Sequence, residues 1–137
     1  MKSRHTTHTR RQRQRGSAMV ESAFSLTVLL MLLFGIMEFG RAIFAFNQLA
    51  YLAQEGARYA SLHGSSASTV ATSASIATYV TSKAIGIQPT TTTTWQTNQN
   101  VPGHWVIVQV TYPMQFVAPF MPGPLTLGSS AKDTILQ

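Results

Sequence analysis

Residues 15–41 read RGSAMVESAFSLTVLLMLLFGIMEFGR, and this run contains the most apolar segment of the chain. Between Ser17 and Met37 the only charged residue is Glu21. A helix needs about 20 predominantly apolar residues to cross a bilayer core of roughly 30 Å. The sequence therefore predicts one membrane-spanning helix, which we place at residues 17–39, and membrane lipid as its surroundings.

Basic residues are concentrated immediately before this segment. The 137-residue chain has a formal net charge of +6, and six of its ten Lys and Arg residues precede Gly16: Lys2, Arg4, Arg10, Arg11, Arg13 and Arg15. Because basic flanks stay on the cytoplasmic side, this tail predicts a cytoplasmic N-terminus, with most of the chain outside. Topology explains the charges, so we expect no nucleic-acid partner. Residues 1–16 have no apolar periodicity, which predicts a basic leader without regular structure.

The helical pattern continues beyond the membrane segment into an outer extension at residues 40–62. One face carries apolar residues at alternating spacings of four and three: Phe39, Ile43, Phe46, Ala50, Ala53, Ala57 and Ala60. Such spacing marks one side of a helix. We expect the alanine end of this stripe to pack beneath a sheet. The charged residues fall off the stripe and are predicted to be helix-surface contacts that pair weakly three residues apart: Glu38 with Arg41, and Glu55 with Arg58.

Residues 63–137 predict a small α+β domain. A second helix is expected at about 66–85 and a first strand at about 90–97, followed by a turn that ends at Gly103. His104 to Tyr112 alternates in polarity as a strand does, and Pro113 is expected to end it. A last strand is placed within 125–137. The fold class is thus α+β, with a three-stranded antiparallel sheet covering the outer part of the long helix. Four aromatic residues are expected in the core of the sheet: Trp95, Trp105, Tyr112 and Phe116.

The residues that usually carry catalysis or bind metals are sparse. The chain has no cysteine, and its histidines at positions 5, 8, 63 and 104 lack the spacing of metal ligands. No phosphate-binding loop or nucleophile motif is present. We therefore expect neither an enzyme nor a cofactor, a metal site or a small-molecule substrate. The loop at Phe120-Met121-Pro122 is either a binding tip or a packed loop.

The segment around Gly16 resembles a class III, or prepilin-type, signal peptide. Gly16 lies between a basic tail and an apolar helix, and Glu21 follows five residues later. The wider segment 15–60 resembles the TadE-like family of the tight-adherence (Tad, or Flp) type IV pilus system. The resemblance is carried mainly by FGIMEFGR at residues 34–41 and EGARYA at residues 55–60.

This resemblance implies a pilin-like fold and a role as a minor pilin or pseudopilin in pilus assembly, secretion and adhesion. A prepilin peptidase would cut between Gly16 and Ser17, which makes Glu21 the fifth mature residue and an assembly residue. Other Tad subunits would be its partners, in the inner membrane of a bacterium, with the C-terminal domain periplasmic or extracellular. Major Flp pilins are shorter and usually have Tyr where this chain has Ser22, so the resemblance favours a minor component. A permanently anchored surface or binding protein that keeps its basic tail is the alternative.

Overall fold

The computed structural model describes residues 8–117 and 123–136, with side chains described from Gly16 onward. The chain divides into two units, Met1–Met37 and Glu38–Gln137. The helices are α1 (His8–Leu62) and α2 (Ser73–Lys83), and the strands are β1 (Thr90–Trp95), β2 (Trp105–Met114) and β3 (Leu125–Thr134). A single 3-10 turn, Gln96–Asn98, follows β1. The α+β fold with a long N-terminal helix, a second helix and a three-stranded antiparallel sheet is confirmed.

Helix α1 is continuous over 55 residues and passes through Gly40 and Gly56 without a break. Its start at His8 shows that the prediction of no regular structure was wrong for residues 8–16; residues 1–7 lie outside the described part. Arg and Gln, which fill residues 10–15, are good helix formers. Adding a residue to an existing helix costs far less than nucleating one, so the apolar helix extends into its basic flank.

Helix α2 begins later than the predicted residue 66. Thr72 caps it: the Ser75 N–H donates to Thr72 Oγ1 at 3.1 Å, and the Thr72 N–H donates to Ser75 Oγ at 2.9 Å. This reciprocal capping box satisfies two backbone donors at the first turn. Helix α2 therefore starts at Ser73 because the cap fixes it there, whereas the Ser and Thr residues before it have no such arrangement.

The sheet is an antiparallel meander in the order β1-β2-β3, as predicted. Strand β1 ends at Trp95 rather than 97, because Thr97 and Asn98 adopt positive φ angles of 54° and 55°. The prediction that Pro113 ends β2 was wrong, since β2 continues to Met114. Beyond Thr111, β2 pairs with β3 alone. The missing N–H of Pro113 is tolerated there, as proline is on edge strands.

The core of the second unit lies between the outer part of α1, helix α2 and one face of the sheet. Its fully buried members come from all three layers: Leu49, Leu52, Ala53, Ala57 and Ala60 of α1, Ile76 and Val80 of α2, Val106, Val108 and Val110 of β2, and Ile135 after β3. The packing of the alanine end of α1 beneath the sheet is thus confirmed. Trp95 and Tyr112 pack against this core as expected. Trp105 instead alternates with buried Val106 and carries Lys132 Nζ 5.0 Å from its ring centre.

The other end of the predicted stripe is not buried. Phe39, Ile43 and Phe46 are 68%, 46% and 50% exposed. Helix α1 instead packs through the face that contains Ala45 and Leu49. Spacing alone predicted a single apolar face from Phe39 to Ala60. The helix in fact has two apolar faces: the sheet covers the one that contains Ala45 and Leu49, and the one that contains Phe39, Ile43 and Phe46 is exposed.

Candidate processing and assembly site

Gly16 and Ser17 lie within α1 and are exposed. A Cβ atom added at Gly16 would meet no other atom within 4 Å. Packing in this chain therefore does not require glycine at position 16, and neither does a positive φ angle. Glycine in a helix costs up to about 1 kcal/mol relative to alanine, so its presence here has a local cost without a structural gain.

Glu21 lies one turn further along α1 and is exposed. It borders a shallow, open depression on the helix surface together with Ala18, Ser22, Ser25, Leu26 and Leu29. Among the side chains that the structure describes, none forms a hydrogen bond or ion pair with Glu21. A carboxylate at the start of an apolar segment is costly in a membrane unless it is paired or close to water.

The segment that follows Glu21 presents apolar side chains all around. Phe24, Leu26, Leu32 and Ile36, for example, are each more than half exposed. In the described part of the chain, one helix region, Gly16–Leu62, is long and apolar enough to cross a membrane. A helix that is apolar on every side and uncovered by protein suits a lipid environment. This region fits a single-pass membrane anchor.

Glu38, the first residue of the second unit, is 2% exposed, so the prediction of a helix-surface charge was wrong. Its Oε2 lies 2.8 Å from Arg41 Nη1, which confirms the predicted pairing. Its Oε1 accepts a hydrogen bond from the Val117 N–H at 2.7 Å, and Arg41 Nη2 donates to the Gln115 carbonyl at 3.4 Å. Glu38 and Arg41 of α1 thus bind the backbone of Gln115 and Val117, in the segment that follows β2. We call this arrangement the clasp. Bonds between charged groups and backbone are among the stronger hydrogen bonds in proteins.

Glu55 and Arg58 behave differently from their predicted pairing. Within residues 16–117 and 123–136 the structure shows no Glu55–Arg58 ion pair; Glu55 Oε2 instead accepts a hydrogen bond from the Tyr79 hydroxyl at 3.1 Å. Arg58 is exposed. The pKa of Tyr79 is raised above its ordinary value, first by burial and then by the hydrogen bond to Glu55 and its negative charge. Tyr79 also stacks on Tyr59, with ring centres 4.6 Å apart, so Glu55 helps to join α2 to α1.

Sequence reasoning missed a second polar link between α1 and the loop after α2. Gln48 Nε2 donates to the Ile85 carbonyl at 3.0 Å, and the Ile85 N–H donates to Gln48 Oε1 at 3.2 Å. No motif marks such a link. The clasp, by contrast, had a signal: Glu38 stands between apolar Met37 and Phe39 with a basic residue three positions on.

Comparison with known proteins bears on the segment that holds these residues. Residues 16–58 match the family model described as TadE-like protein. Comparison with curated proteins and with solved structures gave no match. The matched segment contains Gly16, Glu21, the Glu38–Arg41 clasp and Glu55, and it ends at Arg58. The resemblance inferred from the sequence is thereby confirmed: residues 16–58 are similar to the TadE-like family.

Proposed function

We propose that this chain is a minor pilin or pseudopilin of a Tad pilus, processed by a prepilin peptidase between Gly16 and Ser17. The observation that supports this most is the TadE-like match, which begins at Gly16 itself. Processing would remove the basic leader after it has set the topology. The outer domain would then lie beyond a bacterial inner membrane and meet other subunits during pilus biogenesis and adherence.

The surroundings of Gly16 support recognition by an enzyme rather than a packing role. Position 16 is exposed and has room for a larger residue. A glycine that packing does not need and that weakens the helix locally suits a bond that a protease must take into its active site. The neighbouring Ser17 is exposed as well, so both sides of the bond are accessible.

Glu21 supports the assembly step. Cleavage after Gly16 creates a positively charged amine at Ser17, one helical turn from Glu21. The amine of one subunit and the carboxylate of its neighbour would neutralise each other at the edge of the apolar segment, where an unpaired charge is costly. The pairing would then hold each new subunit in register as it enters the assembly.

The decisive experiment is intact-mass and N-terminal analysis of the membrane-extracted protein, with and without a prepilin peptidase. We expect a chain that begins at Ser17 only when the peptidase is present. Gly16→Ala is expected to abolish processing and piliation while membrane insertion is retained. Gly35→Ala is the matched control, because Gly35 is also in α1 and a Cβ there also meets nothing within 4 Å. Its processing is expected to be normal.

The competing function is a permanently anchored surface or binding protein that keeps its leader. The cluster of six basic residues before Gly16 supports an anchored protein as much as it supports a processed pilin, because a retained topology signal needs the same charges. A protein that still begins near Met1 when the peptidase is present would establish the alternative. Genes for a secretion ATPase and a prepilin peptidase close to this gene would support the pilus function.

A further inference from the structure

An apolar patch on the second unit is left uncovered by the rest of the described chain. It consists of Phe39, Ile43, Phe44 and Phe46 of α1, with Val117 of the segment after β2. Their exposed fractions lie between 46% for Ile43 and 68% for Phe39. Phe39, Ile43 and Phe46 follow one another at spacings of four and three, so they form one side of the helix. Three exposed phenylalanines so close together are unusual on a surface that faces water.

The charges next to this patch are already satisfied within the protein. Glu38 is buried and bound to Arg41 and to the Val117 N–H, and Arg41 reaches the Gln115 carbonyl as well. An acid and a base paired in this way carry no net charge and cost much less in an apolar medium than either alone. The side chain of Arg41, which is 40% exposed, has an aliphatic stem that suits an apolar surface. The clasp thus makes this end of the second unit compatible with lipid.

The polarity of α1 points to the same surroundings. The polar residues Ser17, Glu21, Ser22 and Ser25 lie before Leu26, and from Leu26 to Met37 the only polar residue is Thr27. Between Met37 and Asn47 the only charged residues are Glu38 and Arg41, the two members of the clasp. Counted from Leu26, the roughly 20 residues needed to cross a bilayer core end near Phe46. The polar residues Asn47 and Gln48 follow at once. A span of this kind includes the helical part of the patch, whereas a span at 17–39 leaves most of it in water.

We propose that the patch is immersed in the acyl chains of the adjoining leaflet, with the bilayer core crossed at about Leu26–Phe46. Lipid is the occupant because the patch follows the apolar segment directly along the same helix, which tethers it at the membrane surface. Val117 then lies in lipid with Phe39, since the clasp holds it beside Glu38. Ile85, which is 71% exposed and bound to Gln48, lies at the level of the headgroups. This proposal does not rest on the pilus function.

The test is site-directed spin labelling of the full chain in phospholipid vesicles. The chain has no cysteine, so each introduced cysteine is the sole labelling site. The variants are Ile43→Cys, Phe46→Cys, Val117→Cys and Ile85→Cys, with Gln54→Cys as the matched control, because Gln54 is exposed on the same helix but polar. Collisions of the label with oxygen, which enters lipid, are compared with those of a water-soluble nickel complex.

We expect nickel collisions to be several-fold lower at positions 43, 46 and 117 than at 54, with oxygen collisions higher, and intermediate values at 85. Nickel collisions at 43 and 46 equal to those at 54 would place the patch in water and overturn the proposal. Low collisions with both reagents, together with dipolar broadening between labels, would show a second copy on the patch and also overturn it. The unsubstituted chain provides a check: its Phe46 amide signal should be broadened by spin-labelled lipids and not by the nickel complex. None of these readouts depends on processing after Gly16.

Discussion

Glu38 shows how one side chain changes the character of a surface. Its neighbours along the chain are apolar and it is 2% exposed, yet both carboxylate oxygens have partners. A buried carboxylate without partners would be strongly unfavourable, so the surrounding structure must supply them. Arg41 does so from one turn further along the helix, and the Val117 N–H does so from a segment 79 residues away in the sequence. The clasp therefore stabilises the second unit and also removes a charge from its apolar end.

Substitutions of Glu38 should separate the hydrogen bond from the ion pair. Glu38→Ala leaves the Val117 N–H and Arg41 Nη1 without their acceptor. We expect a loss of about 2–3 kcal/mol in the free energy of unfolding. Glu38→Gln keeps an oxygen for Val117 and should lose about half as much. Thermal and denaturant unfolding in detergent, followed by circular dichroism, measures both. If the two variants are equally unstable, the backbone hydrogen bond contributes little.

Gly56 lies where α1 packs closely against β2 and α2. A Cβ atom there would lie 2.9 Å from Val108 Cγ1 and 2.9 Å from Val80 Cγ2. Branched side chains in a packed core cannot easily move away, and overpacking typically costs about 1–3 kcal/mol. We therefore expect Gly56→Ala to lower the unfolding temperature, although alanine favours the helix. Differential scanning calorimetry in detergent would measure the change.

Gly40→Ala is the control for this prediction. A Cβ at Gly40 meets nothing within 4 Å, so the substitution should stabilise the helix by up to about 1 kcal/mol. Opposite signs for the two glycines would confirm that close approach, and not helix propensity, selects Gly56. A stabilising Gly56→Ala would contradict the packing described here.

The elements of the second unit are joined by a few polar contacts around an apolar core. Helix α2 has two fully buried residues, Ile76 and Val80, and is tied to α1 by the hydrogen bond from Tyr79 to Glu55. An 11-residue helix is too short to be stable alone in water, so these contacts hold it in place. The packing of this helix therefore rests on few contacts, and the hydrogen bond from Tyr79 to Glu55 is one of them.

Tyr79 should make the stability of this helix depend on pH. Its pKa is raised in the folded protein, so the neutral hydroxyl is favoured there relative to the unfolded chain. The stabilisation is present below the unfolded pKa of about 10 and is lost as the pH rises through the higher folded pKa. Tyr79→Phe should lower stability by about 1 kcal/mol at neutral pH, and the difference from the wild type should shrink above pH 10.

Urea unfolding at several pH values measures this difference, with Tyr51→Phe as the control because Tyr51 is 52% exposed. The control should match the wild type at each pH below the titration of tyrosine. A Tyr79→Phe difference that stays constant up to pH 11 would show that ionisation of Tyr79 is not coupled to folding.

Across the whole second unit, the last residues of the chain complete the core that α1 begins. Ile135 is 1% exposed, and its N–H and carbonyl bond to His104 and Gly103. The N–H of the next residue, Leu136, donates to the Ser61 carbonyl at 2.9 Å, at the end of α1. The segment after β3 is thus joined to the end of α1, although the two are far apart in sequence.

Ile135→Ala should therefore destabilise the whole unit, by about 2–5 kcal/mol, because it leaves a cavity among side chains of all three layers. Leu136→Ala is the matched control: Leu136 is adjacent but 67% exposed, and we expect a change within about 0.5 kcal/mol. Denaturant unfolding monitored by tryptophan fluorescence would compare them. Equal effects of the two substitutions would mean that the C-terminal residues do not belong to the core.

Local sequence patterns were enough to predict most of the helices and strands. Apolar length predicted the membrane helix, and alternation predicted β2. The segments at residues 34–41 and 55–60 led to the TadE-like resemblance that the family match confirms. Each of these signals comes from neighbouring residues, and neighbours along the chain set backbone preferences and polarity. The α+β class and the meander followed from them.

Residues that are distant in the sequence determine which side of α1 is covered. Phe39, Ile43 and Phe46 have the spacing of a core face, but the sheet packs against Leu49 and Ala53 instead. The burial of Glu38 likewise depends on Val117, 79 residues away. Helical spacing shows which residues share a face, whereas the position of the sheet determines which face it covers. The sequence alone predicted a membrane segment. The tertiary structure added an exposed apolar surface next to that segment, and it showed that the charge of Glu38 is neutralised by Arg41.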